Sequence, residues 1–266
     1  MRKRALETLL LLGSLGIVDC GPPTTPPPTL PANEPLIFKI ENLEQVNLAN
    51  NLTVPGYAPA SGVQGNWGVF TVSVIQHGVV AIPNVEISGG GTTFFADDGP
   101  GGTAGQISGI FYGIQTTSPT TSTGGTIDFL WHDANATYIA ANCVSGATCA
   151  PDAAAVGLFT AGTLLVRLKL ASGIDPASAA TFTMTNVPIT SLTTPGPIGQ
   201  SASFADVDTT TAGPWAAALD GNFFTTSAGK RDIRLTTVFT NVASWSGNPA
   251  GTIGLRSNDP FRVFTR

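Results

Sequence analysis

Short runs of alternating apolar and polar residues, divided by Gly, Pro, Asn and Ser, follow one another from Leu36 onward. In TLLVRLKL, residues 163–170, Leu and Val alternate with polar residues that include Arg167 and Lys169. A period of two with β-branched and aromatic residues is typical of strands that bury one face. About a dozen such runs, spaced as in sandwich domains, predict an all-β fold built as a jelly-roll-like β-sandwich.

Nothing in the sequence divides this strand-rich region into two domains. The Pro/Gly-rich break TTPGPIG, residues 193–199, is short enough to be a loop between strands. One all-β domain of this size is ordinary. We therefore expect residues 36–266 to form a single β-sandwich, with helical turns limited to segments such as GPWAAALDG, residues 213–221.

The N-terminus has the pattern of an export signal. MRKR is basic, and the mainly apolar residues 5–18 follow it. As a helix this apolar segment would be about 21 Å long, shorter than the roughly 30 Å core of a bilayer. The pattern predicts a signal sequence over residues 1–19 and a protein that works outside the cell.

Cys20 directly follows the apolar segment, with Ile17 three residues before it. This spacing is similar to a bacterial lipoprotein box, but Asp19 stands where a small residue is usual, so lipidation of Cys20 and simple cleavage nearby both remain open. A lipid on Cys20 would be the one link to a membrane. Residues 20–35 carry seven prolines and are predicted to form an extended spacer without a core.

The charge of the chain excludes one class of partner. Charged residues make up 11% of the sequence and the formal net charge is −5, whereas about 25% of residues are charged in ordinary domains. Nucleic-acid binding depends on clustered Lys and Arg, and no basic cluster follows the leader. We therefore expect no nucleic-acid partner.

The two remaining cysteines, Cys143 and Cys149, are separated only by VSGAT. In an exported chain the default state of such a pair is a disulfide, and we predict that these two residues are joined. Two cysteines do not complete a zinc site, which takes about four ligands. We expect neither a metal nor a cofactor.

His132 is one of two histidines and stands beside Asp133 after the run TIDFLWH. The alternation points Phe129 and Trp131 inward and His132 outward, at the end of a strand. No G-x-S-x-G or H-E-x-x-H pattern supplies a nucleophile or a metal-binding partner. We interpret His132 as a strand-end residue at the surface, without a catalytic role.

Two loops combine carboxylates with turn-forming residues: ADDGPGG, residues 96–102, and DVDTTT, residues 206–211. Oxygen-rich loops can hold calcium, which takes about six to eight ligands, but neither loop follows the spacing of a calcium-binding loop. Asp and Gly are also the usual residues of tight turns. We interpret both loops as turns.

Tryptophan is the residue best suited to bind sugars, because its face packs against sugar C–H groups. Trp131 is in phase with the core, and Trp67 begins a strand. Trp215 and Trp245 lie in the loop-like segments AGPWAAA and ASWSGNPAG. We predict that these two rings are exposed and are the candidate sugar-binding residues.

Several segments, taken in order, resemble one family. GNWGVFTVSVI, ISGIFYGI, GGTIDFLW and GLRSNDPFRVF are similar to segments of the exosortase-sorted PEP-CTERM extracellular proteins of Gram-negative bacteria, in particular the flocculation-associated subgroup. The resemblance implies export to the outer surface, association with exopolysaccharide and a structural part in aggregation or biofilm, without enzymatic activity. No Pro-Glu-Pro motif follows RSNDP, so Cys20 and its Pro-rich spacer, if Cys20 is lipidated, would be a replacement tether.

Three functions remain as alternatives. The expected one is a non-catalytic matrix protein that binds exopolysaccharide or other copies of itself. The second is a secreted carbohydrate-active enzyme, for which a carboxylate pair about 5–9.5 Å apart in an open groove would be evidence. The third is a subunit of an extracellular filament or coat, in which strand edges pair between copies.

Overall fold

The computed structural model describes residues 25–47, 65–118, 120–139, 153–185, 197–211, 213–242 and 252–266. Two helices are present in these ranges, α1 (Ala153–Thr160) and α2 (Ala216–Leu219). The strands are β1 (Pro35–Asn47), β2 (Gly65–His77), β3 (Val79–Ile82), β4 (Glu86–Ser88), β5 (Thr93–Ala96), β6 (Gln106–Ser118), β7 (Thr121–His132), β8 (Thr163–Ala171), β9 (Phe182–Thr185), β10 (Pro197–Val207), β11 (Phe224–Thr226), β12 (Gly229–Arg231), β13 (Ile233–Val242) and β14 (Thr252–Phe264).

Eight strands form one closed antiparallel barrel. Around its wall the order is β1, β14, β13, β10, β8, β7, β6 and β2, and β2 pairs again with β1. Strand β8 pairs with residues 204–207 of β10, and β9 pairs with residues 200–203, so β9 continues the wall where β8 ends. Strand β5 pairs with the end of β2.

The all-β prediction is confirmed, whereas the sheet closes into a barrel where we expected a jelly-roll-like sandwich. Strand β1 pairs along its length with β14 on one side and with β2 on the other. A wall bonded in this way has no sheet edge at which two layers could separate. Because inward and outward residues alternate in both architectures, the sequence pattern does not distinguish between them.

Aromatic rings fill the middle of the barrel. Phe38 and Phe261 pack edge to face with ring centroids 4.9 Å apart, and Phe129 lies 5.3 Å from Phe261. Phe70 joins this group at 4.9 Å from Phe129. The four rings come from β1, β14, β7 and β2, so side chains from around the wall meet in one packed core.

Two glycines make room for rings between β2 and β6. The register places Gly68 opposite Phe111 and Gly109 opposite Phe70. A Cβ on Gly109 would lie 2.1 Å from the Phe70 ring and 2.2 Å from the carbonyl oxygen of Asp128. A Cβ on Gly68 would lie 2.4 Å from the Phe111 ring. Gly68 of GNWGVF and Gly109 of ISGIFYG are therefore required by the aromatic residues of the facing strand.

Additional elements cover the outer face of the barrel in two places. Helix α1 lies over part of β2 and β6, and the hairpins β3–β4 and β11–β12 lie over part of β1 and β10. The N–H of Thr225 donates to the carbonyl of Asn84 at 2.8 Å and ties the hairpins together. The residues buried in these patches are Leu43, Trp67, Val69, Ile110, Ile139, Val156 and Phe159 under α1, and Ile37, Ile87 and Phe224 under the hairpins.

The Pro-rich segment lies against one end of the barrel. Trp131 Nε1 donates to the carbonyl of Thr25 at 2.8 Å, and Trp215 Nε1 donates to the carbonyl of Pro28 at 2.9 Å. Leu30 is buried in the main core. Proline lacks an N–H but keeps its carbonyl, so indole N–H groups can hold such an extended segment. In the part that the structure describes, the Pro-rich segment therefore packs against the barrel and adds Leu30 to its core.

Candidate functional site on the outer wall of the barrel

His132 ends β7 as predicted, but its side chain is buried rather than at the surface, with 6% of its area exposed. The ring points away from the barrel interior, as the alternation predicts, and lies under the C-terminal end of α1. The sequence analysis did not predict this helix, which covers the wall at this point. The side chain of His132 therefore points in the predicted direction, but it is buried where we expected it to be exposed.

His132 donates a hydrogen bond to the neighbouring serine, whereas a catalytic histidine accepts one from its nucleophile. Ser108 Oγ donates to the carbonyl of Phe159 at 2.7 Å and lies 2.6 Å from His132 Nε2. Because Ser108 has one hydroxyl proton and a carbonyl can only accept, Nε2–H must donate to Ser108 Oγ. A general base has to accept the proton of its nucleophile. Burial lowers the pKa of His132 and favours this neutral donor.

The aspartates of the 96–102 loop are used inside the turn. Asp98 accepts the N–H groups of Thr103 at 2.6 Å and Ala104 at 3.0 Å, and these bonds lower the pKa of Asp98. Asp97 accepts the hydroxyl of Tyr138 at 3.1 Å. Burial, and next the charge of Asp97, raises the pKa of Tyr138 to about 12. These contacts are those of the predicted turn.

The second acidic loop is likewise occupied by protein groups. Asp208 binds the Thr210 hydroxyl at 2.5 Å and Lys169 Nζ at 2.9 Å, and both contacts lower its pKa to about 2. Asp206 lies 3.2 Å from Arg231 Nη1. In the residues that the structure describes, no three His, Cys, Asp or Glu side chains are grouped to hold a metal ion.

Asp232 is a buried carboxylate whose pKa is raised by burial, which is a property of many general acids. One oxygen accepts the N–H of Val207 at 2.8 Å, and the other accepts the N–H of Asn222 at 2.7 Å. Both oxygens therefore fix the backbone at the junction of β10 and β13. The group acts as a structural link between these segments.

The expectation that the Trp215 ring is exposed is wrong. The residue is 2% exposed and packs edge to face on Phe38, with ring centroids 5.9 Å apart. Its indole N–H holds the Pro-rich segment, so the loop-like AGPW sequence closes the barrel end instead of presenting a ring to a sugar. The other predicted site residues, Cys20, Cys143, Cys149 and Trp245, lie outside the described residues.

The feature that sequence reasoning missed is a pair of arginines on the outer wall. The register of β13 and β14 places Arg234 directly opposite Arg262. Their chain neighbours Ile233, Leu235 and Phe261 are buried in the barrel core, so the two guanidinium groups point outward. Both side chains are half-buried at the edge of the β3–β4 hairpin.

The bonds that these arginines make are few and go to neutral acceptors. Arg234 Nη1 donates to the carbonyl of Val85 at 3.1 Å. Arg262 Nη1 donates to Thr236 Oγ1 at 2.8 Å and to the carbonyl of Pro260 at 3.4 Å. The Nε atoms of both arginines are buried and have no hydrogen-bond partner. Each of these N–H groups is an unsatisfied donor with a desolvation cost of about 1–3 kcal/mol.

The electrostatic surroundings of the pair are unfavourable. Burial lowers the pKa of Arg262, and the charge of Arg234 lowers it further, while Glu86 acts in the opposite direction. The ion pairs that the described residues form do not include either arginine. Like charges on directly opposed residues of neighbouring strands destabilise a sheet. The pair is therefore a site of incompletely compensated positive charge on an acidic protein.

Exposed aliphatic residues surround the pair. Thr236 and Val238 follow Arg234 on the outward side of β13, and Val238 is 48% exposed. In the β3–β4 hairpin, Ile82 at the end of β3 is 48% exposed, and Val85 in the turn is 46% exposed. We call Arg234, Arg262, Thr236, Val238 and residues 82–85 the arginine face. Its combination of unpaired donors and exposed apolar area is suited to binding another molecule.

No family model, no curated protein and no solved structure matches this chain. The resemblance to PEP-CTERM proteins therefore stays a prediction. Of the helices that the structure describes, none has the length and apolar character needed to cross a membrane.

Proposed function

We propose that the protein is a non-catalytic, secreted or cell-surface matrix protein of a Gram-negative bacterium, which binds exopolysaccharide through the outer wall of its barrel. The observation that carries the proposal is the unsatisfied arginine pair, which lies on the outward side of the barrel wall. Charged groups on an outer wall, beside exposed apolar side chains, can contact successive units of a long polymer.

The use of the other polar groups supports a binding role over a catalytic one. Asp128 holds Arg167 in a two-pronged ion pair, with both distances 2.7 Å. Asp232 holds two backbone N–H groups, and His132 donates to Ser108. Each of these groups is engaged by other groups of the protein.

Attachment by such a surface would come from many copies. One contact between a protein group and a polymer group contributes about 1 kcal/mol, or about 1.5–3 kcal/mol when one partner is charged. Copies tethered to one cell would raise the effective affinity by roughly 10²–10⁴. A lipid on Cys20, after removal of residues 1–19, would provide that tether. The intact mass of the protein recovered from cells tests the cleavage, the lipid and the Cys143–Cys149 disulfide together.

The test of the function is retention on the exopolysaccharide of the producing organism. The mature protein is mixed with the isolated polymer and sedimented, and release of sugars is assayed in parallel. We expect retention that weakens with salt, without sugar release. Sugar release that is abolished by replacing one carboxylate would establish an enzyme instead, and absence of any retention would refute the matrix function.

A further inference from the structure

We propose that Arg234 and Arg262 together form a binding site for one carboxylate group, and that its natural ligand is a uronate residue of an acidic polysaccharide. The first half of this inference stands on the geometry of the pair alone. The second half rests on the matrix function proposed above.

Elsewhere in the same barrel, one arginine forms the two-bond contact with a carboxylate that Arg234 and Arg262 lack. Arg167 Nε and Nη2 each donate to one oxygen of Asp128, at 2.7 Å. In Arg234 and Arg262 the protein uses Nη1, and the Nε that would form half of the same fork is without an acceptor. The edge that holds a carboxylate on Arg167 is thus the edge left unsatisfied in both residues of the pair.

The charge balance also calls for an anion. Two guanidinium groups face each other across β13 and β14 without an ion-pair partner among the described residues. An oxyanion between them would replace a repulsive contact with two attractive ones. Charge-assisted bonds of this kind are about twice as strong as neutral ones. A ligand at this point therefore relieves an existing cost as well as adding new contacts.

Access to the site requires only the side chains to move. Both arginines are half-buried. Arg234 Nη1 is held by the carbonyl of Val85, and Arg262 Nη1 by Thr236 Oγ1 and the carbonyl of Pro260, all of them neutral acceptors. A hydrogen bond from a charged donor to a neutral acceptor contributes about 1.5–3 kcal/mol, and a carboxylate forms a stronger bond with the same donor. A carboxylate at the rim can therefore draw either guanidinium outward and present its Nε and Nη2 edge, while the barrel wall stays fixed.

The flat carboxylate fits this site better than the other common anionic groups do. A planar fork matches the two coplanar oxygens of a carboxylate. The exposed side chains of Ile82, Val85 and Val238 can in addition cover the apolar face of a sugar ring.

The experiment uses the mature protein and polygalacturonate oligomers as the probe, with dextran of equal length as the neutral comparison. Binding is measured by calorimetry for wild type, Arg234→Gln, Arg262→Gln and Lys230→Gln. Lys230 is exposed on the separate β11–β12 hairpin, so its replacement removes the same charge without touching the pair. Arg262→Lys keeps the charge but removes the fork.

We expect each Gln variant to lose about 10-fold or more in affinity, the Lys230 variant to bind like wild type, and Arg262→Lys to bind with intermediate strength. Unfolding midpoints within a few degrees of wild type verify that the variants are folded. Equal binding by wild type and both arginine variants would overturn the site. Tight binding of inorganic phosphate without binding of polygalacturonate would overturn the assignment to a carboxylate, and an arginine-dependent dimer in sizing experiments would overturn the polysaccharide as ligand.

The two proposals fail in distinguishable ways. If the protein holds polygalacturonate through the arginines but the producer's own exopolysaccharide does not retain it, the carboxylate site stands and the matrix function is refuted. If the exopolysaccharide retains wild type and both Gln variants equally, the matrix function stands and the site is refuted.

Discussion

His132 and the arginine pair both place polar side chains on the outer wall of the same barrel. The buried N–H group of His132 has an acceptor, whereas the buried Nε–H groups of the arginines have none. His132 lies under α1, where its Nε2–H donates a hydrogen bond to Ser108 Oγ. The Ser108 hydroxyl in turn donates to the carbonyl of Phe159. Arg234 and Arg262 keep buried Nε–H groups without acceptors. A satisfied buried group stabilises the fold, whereas an unsatisfied one leaves free energy for a ligand to recover.

We therefore expect substitutions in the packed interior and around His132 to lower stability and leave binding intact. Substitutions at the arginine face should weaken binding and leave stability nearly unchanged. The largest effect is expected at Gly109, where the packed interior leaves no room for a side chain. A Cβ there would meet both the Phe70 ring and the Asp128 carbonyl oxygen. Gly109→Ala should lower the free energy of unfolding by about 3 kcal/mol, measured by urea denaturation.

Gly157 provides the matched control for that variant. It lies on the exposed side of α1, and a Cβ built on it has no atom within 4 Å. Gly157→Ala should be neutral or stabilising by up to about 1 kcal/mol, because alanine is the better helix former. If Gly109→Ala were as harmless as Gly157→Ala, the glycine–aromatic packing of β2 against β6 would be wrong.

His132→Ala should lower the free energy of unfolding by about 2 kcal/mol, because it leaves Ser108 without its donor and opens a space under α1. Binding of polygalacturonate should not change. A variant that loses binding while its unfolding midpoint equals that of wild type would show that His132 belongs to a binding site.

The same residue predicts a pH dependence. Burial lowers the pKa of His132 in the folded protein below its ordinary value of 6.5. The unfolded chain therefore takes up a proton first as the pH falls, so this contribution is complete above pH 6.5 and is lost toward the lowered pKa. Denaturation of wild type and His132→Gln between pH 8 and 5 should show a smaller loss in the variant. Parallel pH curves for the two proteins would contradict the buried neutral ring.

Trp215→Phe should lower the free energy of unfolding by about 1 kcal/mol, because the aromatic contact with Phe38 is retained and the hydrogen bond to the Pro28 carbonyl is lost. Proteolysis should also cut the Pro-rich segment faster. Unchanged proteolysis of residues 20–30 would mean that the indole bond does not hold the segment.

The smallest effect on stability is expected at the arginine face. Arg262→Gln removes one of two facing charges and one unsatisfied Nε–H, so its free energy of unfolding should stay within about 0.5 kcal/mol of wild type or rise. A loss above about 2 kcal/mol without ligand would place Arg262 among the structural residues and remove the contrast with His132.

Much of the barrel could be predicted from the sequence, because the alternation of inward and outward residues depends only on neighbours in the chain. Phe129 and Trp131 face inward and His132 faces outward, as expected. The closure of the sheet could not be predicted, since it depends on β1 pairing with β2 on one side and with β14, from the far end of the chain, on the other. The burial of His132 depends on α1, whose apolar sequence has no amphipathic period to reveal it.

The candidate site was missed for a related reason. Arg234 and Arg262 each occupy an ordinary outward position in the runs DIRLTTVFT and GLRSNDPFRVF. Only the register of β13 against β14 brings them opposite one another. For Trp215 the prediction was wrong in the opposite sense, since a site was predicted where the structure has none. Its sequence context is typical of an exposed loop, but the Pro-rich segment and the core enclose the ring.

The most direct test of the central claim is the NMR signal of the arginine Nε–H groups during a titration with galacturonate. We expect saturable shifts of the Arg234 and Arg262 signals, while the signal of Arg167, already held by Asp128, stays in place. Unmoved Arg234 and Arg262 signals in the presence of bound ligand, or an equal shift of Arg167, would contradict the claim that unsatisfied donors on the outer wall form the binding site.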